Sequence, residues 1–227
     1  MKTKIIFSLV AVLAVLPFHA RAELKGEKPQ QVVDGKSDVQ KPRETAEKSE
    51  KEEKALASKF EALDAAIDAK DWKKAEDLVD GISKLKPEMA TSIRLGLAVM
   101  KKDPVEAAKQ AKAMADGEIK DDAEGLNAVA WGLVTEFDKP GKELLDTAAD
   151  IAGKALGLSK DEPAVLDTLA RIQFLQGLKQ EAVKTLEKAI AKVDDEDIKS
   201  RLKSSLESMK KGELPKLQEE EMEAEGE

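Results

Sequence analysis

Acid-base and nucleophilic chemistry near neutral pH leans on histidine, cysteine and tyrosine. This chain of 227 residues holds one histidine, His19, with no cysteine and no tyrosine. His19 lies within the first 22 residues, which have the marks of a removable export signal. Lys2 and Lys4 precede an apolar run over residues 5–16 broken only by Ser8, and Pro17 and the small-residue pattern Ala20-Arg21-Ala22 follow it. A cut after Ala22 leaves a chain without His, Cys or Tyr, which lacks the residue types for nucleophilic triads, thiolate metal sites and most catalytic zinc sites. Carboxylate pairs, serine-lysine pairs and oxygen-ligand metals remain. The run Asp194-Asp195-Glu196-Asp197 lacks the alternating acids and turn glycine of a calcium loop, so it reads as favourable charge at a helix start. Ser204-Ser205 and the lysines nearby read as solvated groups on a terminal helix. An envelope enzyme using two carboxylates, for example on a glycan, is the enzymatic alternative, but no pair stands out among 46 Asp and Glu. The expectation is therefore a non-enzyme with no cofactor and no metal.

Charge points the same way. The net charge is −8, and without Lys2, Lys4 and Arg21 it becomes −11, from 35 basic and 46 acidic residues. Such a balance offers no footprint for a phosphate backbone, so nucleic acid is not an expected partner. The apolar run of 12 residues falls short of the roughly 20 that a spanning helix needs, so no integral membrane span is expected after cleavage. The expected location is the periplasm or the extracellular space. Residues 23–54 interleave eight Lys/Arg with nine Asp/Glu and contain Pro29 and Pro42. Too little of this stretch can be buried to offset its ordering entropy; residues 23–45 read as a flexible tether and the rest as a polar lead into the first helix. Residues 211–227 read as an acidic disordered tail, with six carboxylates in the last nine positions.

The elements between these ends are helical. Apolar residues from Leu56, Phe60, Leu63 and Ile67 onward recur at helical spacing, and no run alternates with the period of a strand. Asp71, Asp103 with Pro104, Asp121 or Asp122, and Asp161 with Pro163 mark helix starts; Pro87, Gly117, Pro140-Gly141, Gly177 and Gly212 mark ends. The spacing predicts about nine helices over residues 55–210. Inward positions include Val105, Ala108, Ala111 and Met114 in one piece, and Ile198, Leu202, Leu206 and Met209 in the last. Trp72 is expected to pack under the preceding helix.

Internal repetition organises these helices. Leu166-Asp167-Thr168-Leu169-Ala170-Arg171 repeats Leu126-Asn127-Ala128-Val129-Ala130-Trp131 at an offset of forty, whereas Ala148 falls on Ala182, and Lys154-Ala155-Leu156 on Lys188-Ala189-Ile190, at thirty-four. The difference is an insertion near residues 137–142. Lys70-Asp71 followed by Ala75 is echoed by Lys102-Asp103 followed by Ala107.

Gly177 before Glu181-Ala182, with Ala189 seven residues on, resembles the turn glycine and small packing positions of the tetratricopeptide repeat (TPR) family. Asp71-Trp72, Ala75 and Pro87 resemble an earlier repeat. Gln173 and Leu133 stand where that family usually carries an aromatic, so the repeats are divergent. The resemblance implies an all-α, right-handed superhelical stack of about four hairpins with a C-terminal capping helix. It also implies a concave groove for a protein or peptide, lined by Asn127, Trp131, Asp167, Arg171 and Phe174. Trp131 and Arg171 fall at equivalent positions, and both residue types are favoured interface anchors. The alternative at these positions is packing, with Trp131 in the core between repeats and Arg171 paired to a carboxylate. The same segments are similar to the helical repeat tail of some exported bacterial thioredoxin-like proteins, here without the redox domain. The implied function is an exported protein-binding scaffold.

Overall fold

The computed structural model describes residues 41–217, with side chains from Lys51 onward. The export-signal residues 1–22, the tether as far as residue 40 and the acidic residues 218–227 lie outside the described residues. Among the described residues the fold is all helix. The elements are α1 (Lys41–Asp68), α2 (Trp72–Leu85), a 3-10 turn (Pro87–Met89), α3 (Ala90–Met100), α4 (Pro104–Asp116), α5 (Ala123–Thr135), α6 (Lys142–Ser159), α7 (Pro163–Leu175), α8 (Lys179–Ile190) and α9 (Glu196–Lys211). They form two compact units that divide between Lys101 and Lys102.

Helix α1 starts at Lys41, inside the stretch read as tether. The sequence places Glu44 and Lys48, Glu47 and Lys51, and Glu50 and Lys54 four apart. Pairs in that order support a helix without an apolar stripe in that part of the sequence. In the first unit α1 packs against α2. Leu63, Ala66, Ala75, Val79, Ile82 and Leu97 form the core, with Trp72 packed at its edge as its place at the helix start predicts.

Aspartate caps start three of the helices where the sequence places them, but not α7, whose N-cap is Glu162 with no side-chain cap bond while Asp161 accepts from Lys188 Nζ instead. Asp71 accepts from Lys74 N at 3.2 Å, Asp103 from Glu106 N at 3.1 Å and Asp122 from Gly125 N at 3.0 Å. Asp195 accepts from both Asp197 N and Ile198 N at 3.0 Å, which accounts for the acidic run there as a helix start. Each such cap satisfies a backbone N–H that the helix itself leaves unpaired.

The turns explain the repeated Lys-Asp and Gly signals. Lys70, Lys102 and Gly177 have φ of 54°, 55° and 83°, each five residues before an alanine, Ala75, Ala107 and Ala182, with 0% of its surface exposed. At Lys70 and Gly177 the chain closes with the same pair of bonds, Lys70 N to Ile67 O with Asp71 N to Ala66 O, and Gly177 N to Phe174 O with Leu178 N to Gln173 O. This left-handed closure suits glycine and costs other residues roughly 1–2 kcal/mol. A Cβ at Gly177 would meet no atom within 4 Å, so Gly177→Ala isolates the backbone term. The expected loss is about 1 kcal/mol in urea unfolding; an unchanged midpoint would contradict this account of the turn.

In the second unit α5 pairs with α6 and α7 with α8, α7 also contacts α5 and α6, α4 lies on α6, and α9 covers α8. Shifted by forty residues, α5 coincides with α7 at both ends. The insertion divides between a longer connection before α6 and an extra first turn of that helix. Phe137 anchors this connection in the core, with Lys102 Nζ 5.8 Å from its ring centroid. Ala130, Ala170, Ala148, Ala182, Ala155 and Ala189 are all buried, as expected of positions where helix backbones approach closely. Of the inward positions named for α4 and α9, two are not in the core. Val105 is 61% exposed and Ile198 39% exposed. Both lie in the first turn of a helix, where the inward stripe is set by Ala107, Ala111 and Met114 in α4 and by Leu202, Leu206 and Met209 in α9.

Candidate functional site

Asn127 and Trp131 lie one turn apart on α5, and Asp167 and Arg171 one turn apart on α7. Residues four apart share a helix face, so the register of forty sets Asn127 level with Asp167 and Trp131 level with Arg171. The structure brings the second pair into contact: the Arg171 Cζ lies 5.3 Å from the Trp131 ring centroid. The guanidinium over the indole face is a cation-π arrangement worth about 0.5–2 kcal/mol depending on desolvation. Arg171 is only 6% exposed, and its Nη1 donates to the carbonyl of Pro215 at 3.0 Å. Trp131 is half-buried. The indole is thus half-buried, and the guanidinium meets its ring and a backbone carbonyl.

Electrostatics tie Asp167 to this pair. Burial pushes its carboxyl above the ordinary aspartate value, against the opposing attraction of Arg171 and then of Arg201. A carboxyl whose pKa is raised by folding contributes most to stability below its unfolded pKa, and that contribution is lost as pH rises through the folded value. Asp167→Asn is therefore expected to be more stable than the parent at pH 7, with the gap closing as pH falls toward the unfolded value of about 4 and absent below it. Urea unfolding of both proteins at the two pH values measures this; a gap that widens on acidification would contradict it.

The other two predicted residues have different surroundings. The Asn127 Oδ1 is buried with no hydrogen-bond partner, an acceptor on the same face of α5 as Trp131. Phe174 is drawn into the core shared by α7, α8 and α9, packing with Leu166, Ala182 and Leu186, and the Lys179 Nζ lies 5.4 Å from its ring centroid. Sequence reasoning missed Arg201 and Pro215. Pro215 had a usable signal: it stands between Leu214 and Leu217, shortly after the stop glycine Gly212.

Among the described residues no group of three His, Cys, Asp or Glu is placed to hold a metal ion. No described helix is long and apolar enough to cross a membrane. Set against known proteins, the chain matches no family model, no curated protein and no solved structure.

Proposed function

We propose that the protein is an exported, non-enzymatic interaction module of the TPR-like kind, acting in the periplasm or outside the cell, that binds a protein or peptide on the face formed by α5 and α7. In this reading the hairpins α5–α6 and α7–α8 are successive repeats of a right-handed stack, and α9 is its cap. The observation that carries the proposal is the Arg171 guanidinium stacked on Trp131 and donating to a backbone carbonyl outside the helices. A site of that composition recognises peptide: the indole gives apolar area and the guanidinium takes a main-chain oxygen. The exact register of α5 on α7 and the six buried alanines support the repeat reading.

The test is an affinity pull-down of residues 23–227 against envelope extract, beside Trp131→Ala/Arg171→Ala of the same chain. A partner captured by the parent and lost by the double variant, with helical content unchanged by circular dichroism, is the expected result. A partner retained equally by both would move binding away from this face and overturn the proposal.

A further inference from the structure

The face of Trp131 and Arg171 is already in contact with a non-helical stretch of this same chain. Helix α9 ends at Gly212 with φ 83°, and Glu213 N donates to Ser208 O at 2.9 Å. That closure turns the backbone out of the helix. Residues 213–217 then run on without regular structure. Leu214 is 40% exposed and Lys216 exposed, yet Pro215 between them is buried. A buried residue in an irregular segment needs a seat, and its carbonyl accepts from Arg171, the same guanidinium that stacks on Trp131. Proline suits such a seat because it brings no backbone N–H to be left unpaired and keeps the preceding residue out of the helical region.

On this basis we infer that residues 213–217 are an internal ligand of the Trp131–Arg171 face, and that the partner is an extended peptide containing a Leu-Pro step, which displaces them. The inference rests on the reading that this face binds peptide. Three features support it. The occupying segment, Leu214-Pro215-Lys216-Leu217, pairs apolar and basic residues in a chain that is otherwise strongly acidic. It is joined to the fold directly through the α9 cap, so its effective concentration at the site is of the order of millimolar and it competes with any free peptide. The segment is held at Pro215, whose carbonyl accepts from Arg171 and whose ring is buried, while Leu214 and Lys216 on either side stay exposed, so a partner offering its own Leu-Pro step competes for the same seat.

The experiment uses the full chain and a fluorescein-labelled peptide of residues 211–219, followed by fluorescence anisotropy. Three proteins are compared: the parent, Pro215→Asp, which expels the segment by burying a charge at its seat, and Trp131→Ala/Arg171→Ala. The inference predicts at least tenfold tighter binding to Pro215→Asp than to the parent, and none to the double variant. Equal affinity for the parent and Pro215→Asp, with loss in the double variant, overturns the internal ligand and leaves the peptide-binding face standing. Absence of binding to Pro215→Asp likewise overturns the internal ligand. Binding to all three proteins alike overturns both readings. If Pro215→Asp loses helical content, Pro215→Gly removes the ring without adding a charge, and the same comparison is read from it.

Discussion

Arg171→Ala is expected to destabilise the unit that begins at Lys102 by about 2 kcal/mol at pH 7, the order seen when a buried donor of a charge-assisted hydrogen bond is removed and its acceptor is left unpaired. Three losses combine. The ring of Trp131 loses its cation, the Pro215 carbonyl loses its donor, and the buried Asp167 carboxyl loses the larger of the two charges that favour its ionised form. The last loss gives the prediction its signature. Without Arg171 the Asp167 pKa rises further above the unfolded value, so the penalty shrinks as pH falls and the carboxyl is protonated. Adding Asp167→Asn to the variant is expected to recover part of the stability at pH 7. Arg171→Lys is expected to rescue poorly, because an ammonium neither stacks on a ring as a plane nor offers the guanidinium fork. Urea unfolding of the three variants at pH 7 and at pH 4 checks all of this, and a penalty independent of pH would remove Asp167 from the account.

Leu166→Ala is expected to cost more stability than any surface change, about 2–5 kcal/mol for a buried leucine whose cavity fills only in part. Leu166 is 1% exposed on α7 and belongs to one core cluster with Ala182 and Leu186 of α8 and Leu202, Leu206 and Met209 of α9. Its truncation opens a cavity where α7, α8 and α9 meet, beside a backbone already held close by Ala170 and Ala182. Val105→Ala, at a position that the same apolar spacing would have put in the core, is expected to change stability by less than about 0.5 kcal/mol. Thermal or urea unfolding of the pair measures the contrast; similar costs would mean that the inward face of α4 is wrongly assigned.

The contrast shows which features the residues make legible. Ala130, Ala170, Ala148 and Ala182 could be identified because a small side chain recurring at a fixed offset has few explanations other than close helix approach. Aspartate caps were legible because a short carboxylate before an apolar stripe has a local partner in the helix's own first turn. The start of α1 was not legible, since alternating Glu and Lys four apart stabilise a helix without leaving an apolar stripe to read. Val105 misleads because it stands two positions before Ala107, on the side of α4 away from the buried stripe, whereas Ile198 lies on the stripe of α9 but a full turn before its first buried residue, Leu202. Within the candidate site, the offset of forty was enough to pair Trp131 with Arg171. Burial of Asp167 was not legible, because it depends on what packs over α7, and the Leu-Pro step after Gly212 signals an apolar segment without showing that Arg171 is what it meets. The apolar residues of that segment, Leu214, Pro215 and Leu217, are also too few to show a period beside the acidic run that follows.

The most direct test of the central claim reads Trp131 itself. Trp72 and Trp131 are the two tryptophans, so Trp72→Phe leaves Trp131 as the sole indole, and Pro215→Asp in the same chain frees its face. Titration with the unlabelled peptide of residues 211–219 is predicted to give a saturable change in Trp131 emission, which Arg171→Ala abolishes. Saturable binding of the labelled peptide with no change in Trp131 emission would place the ligand elsewhere and contradict the account.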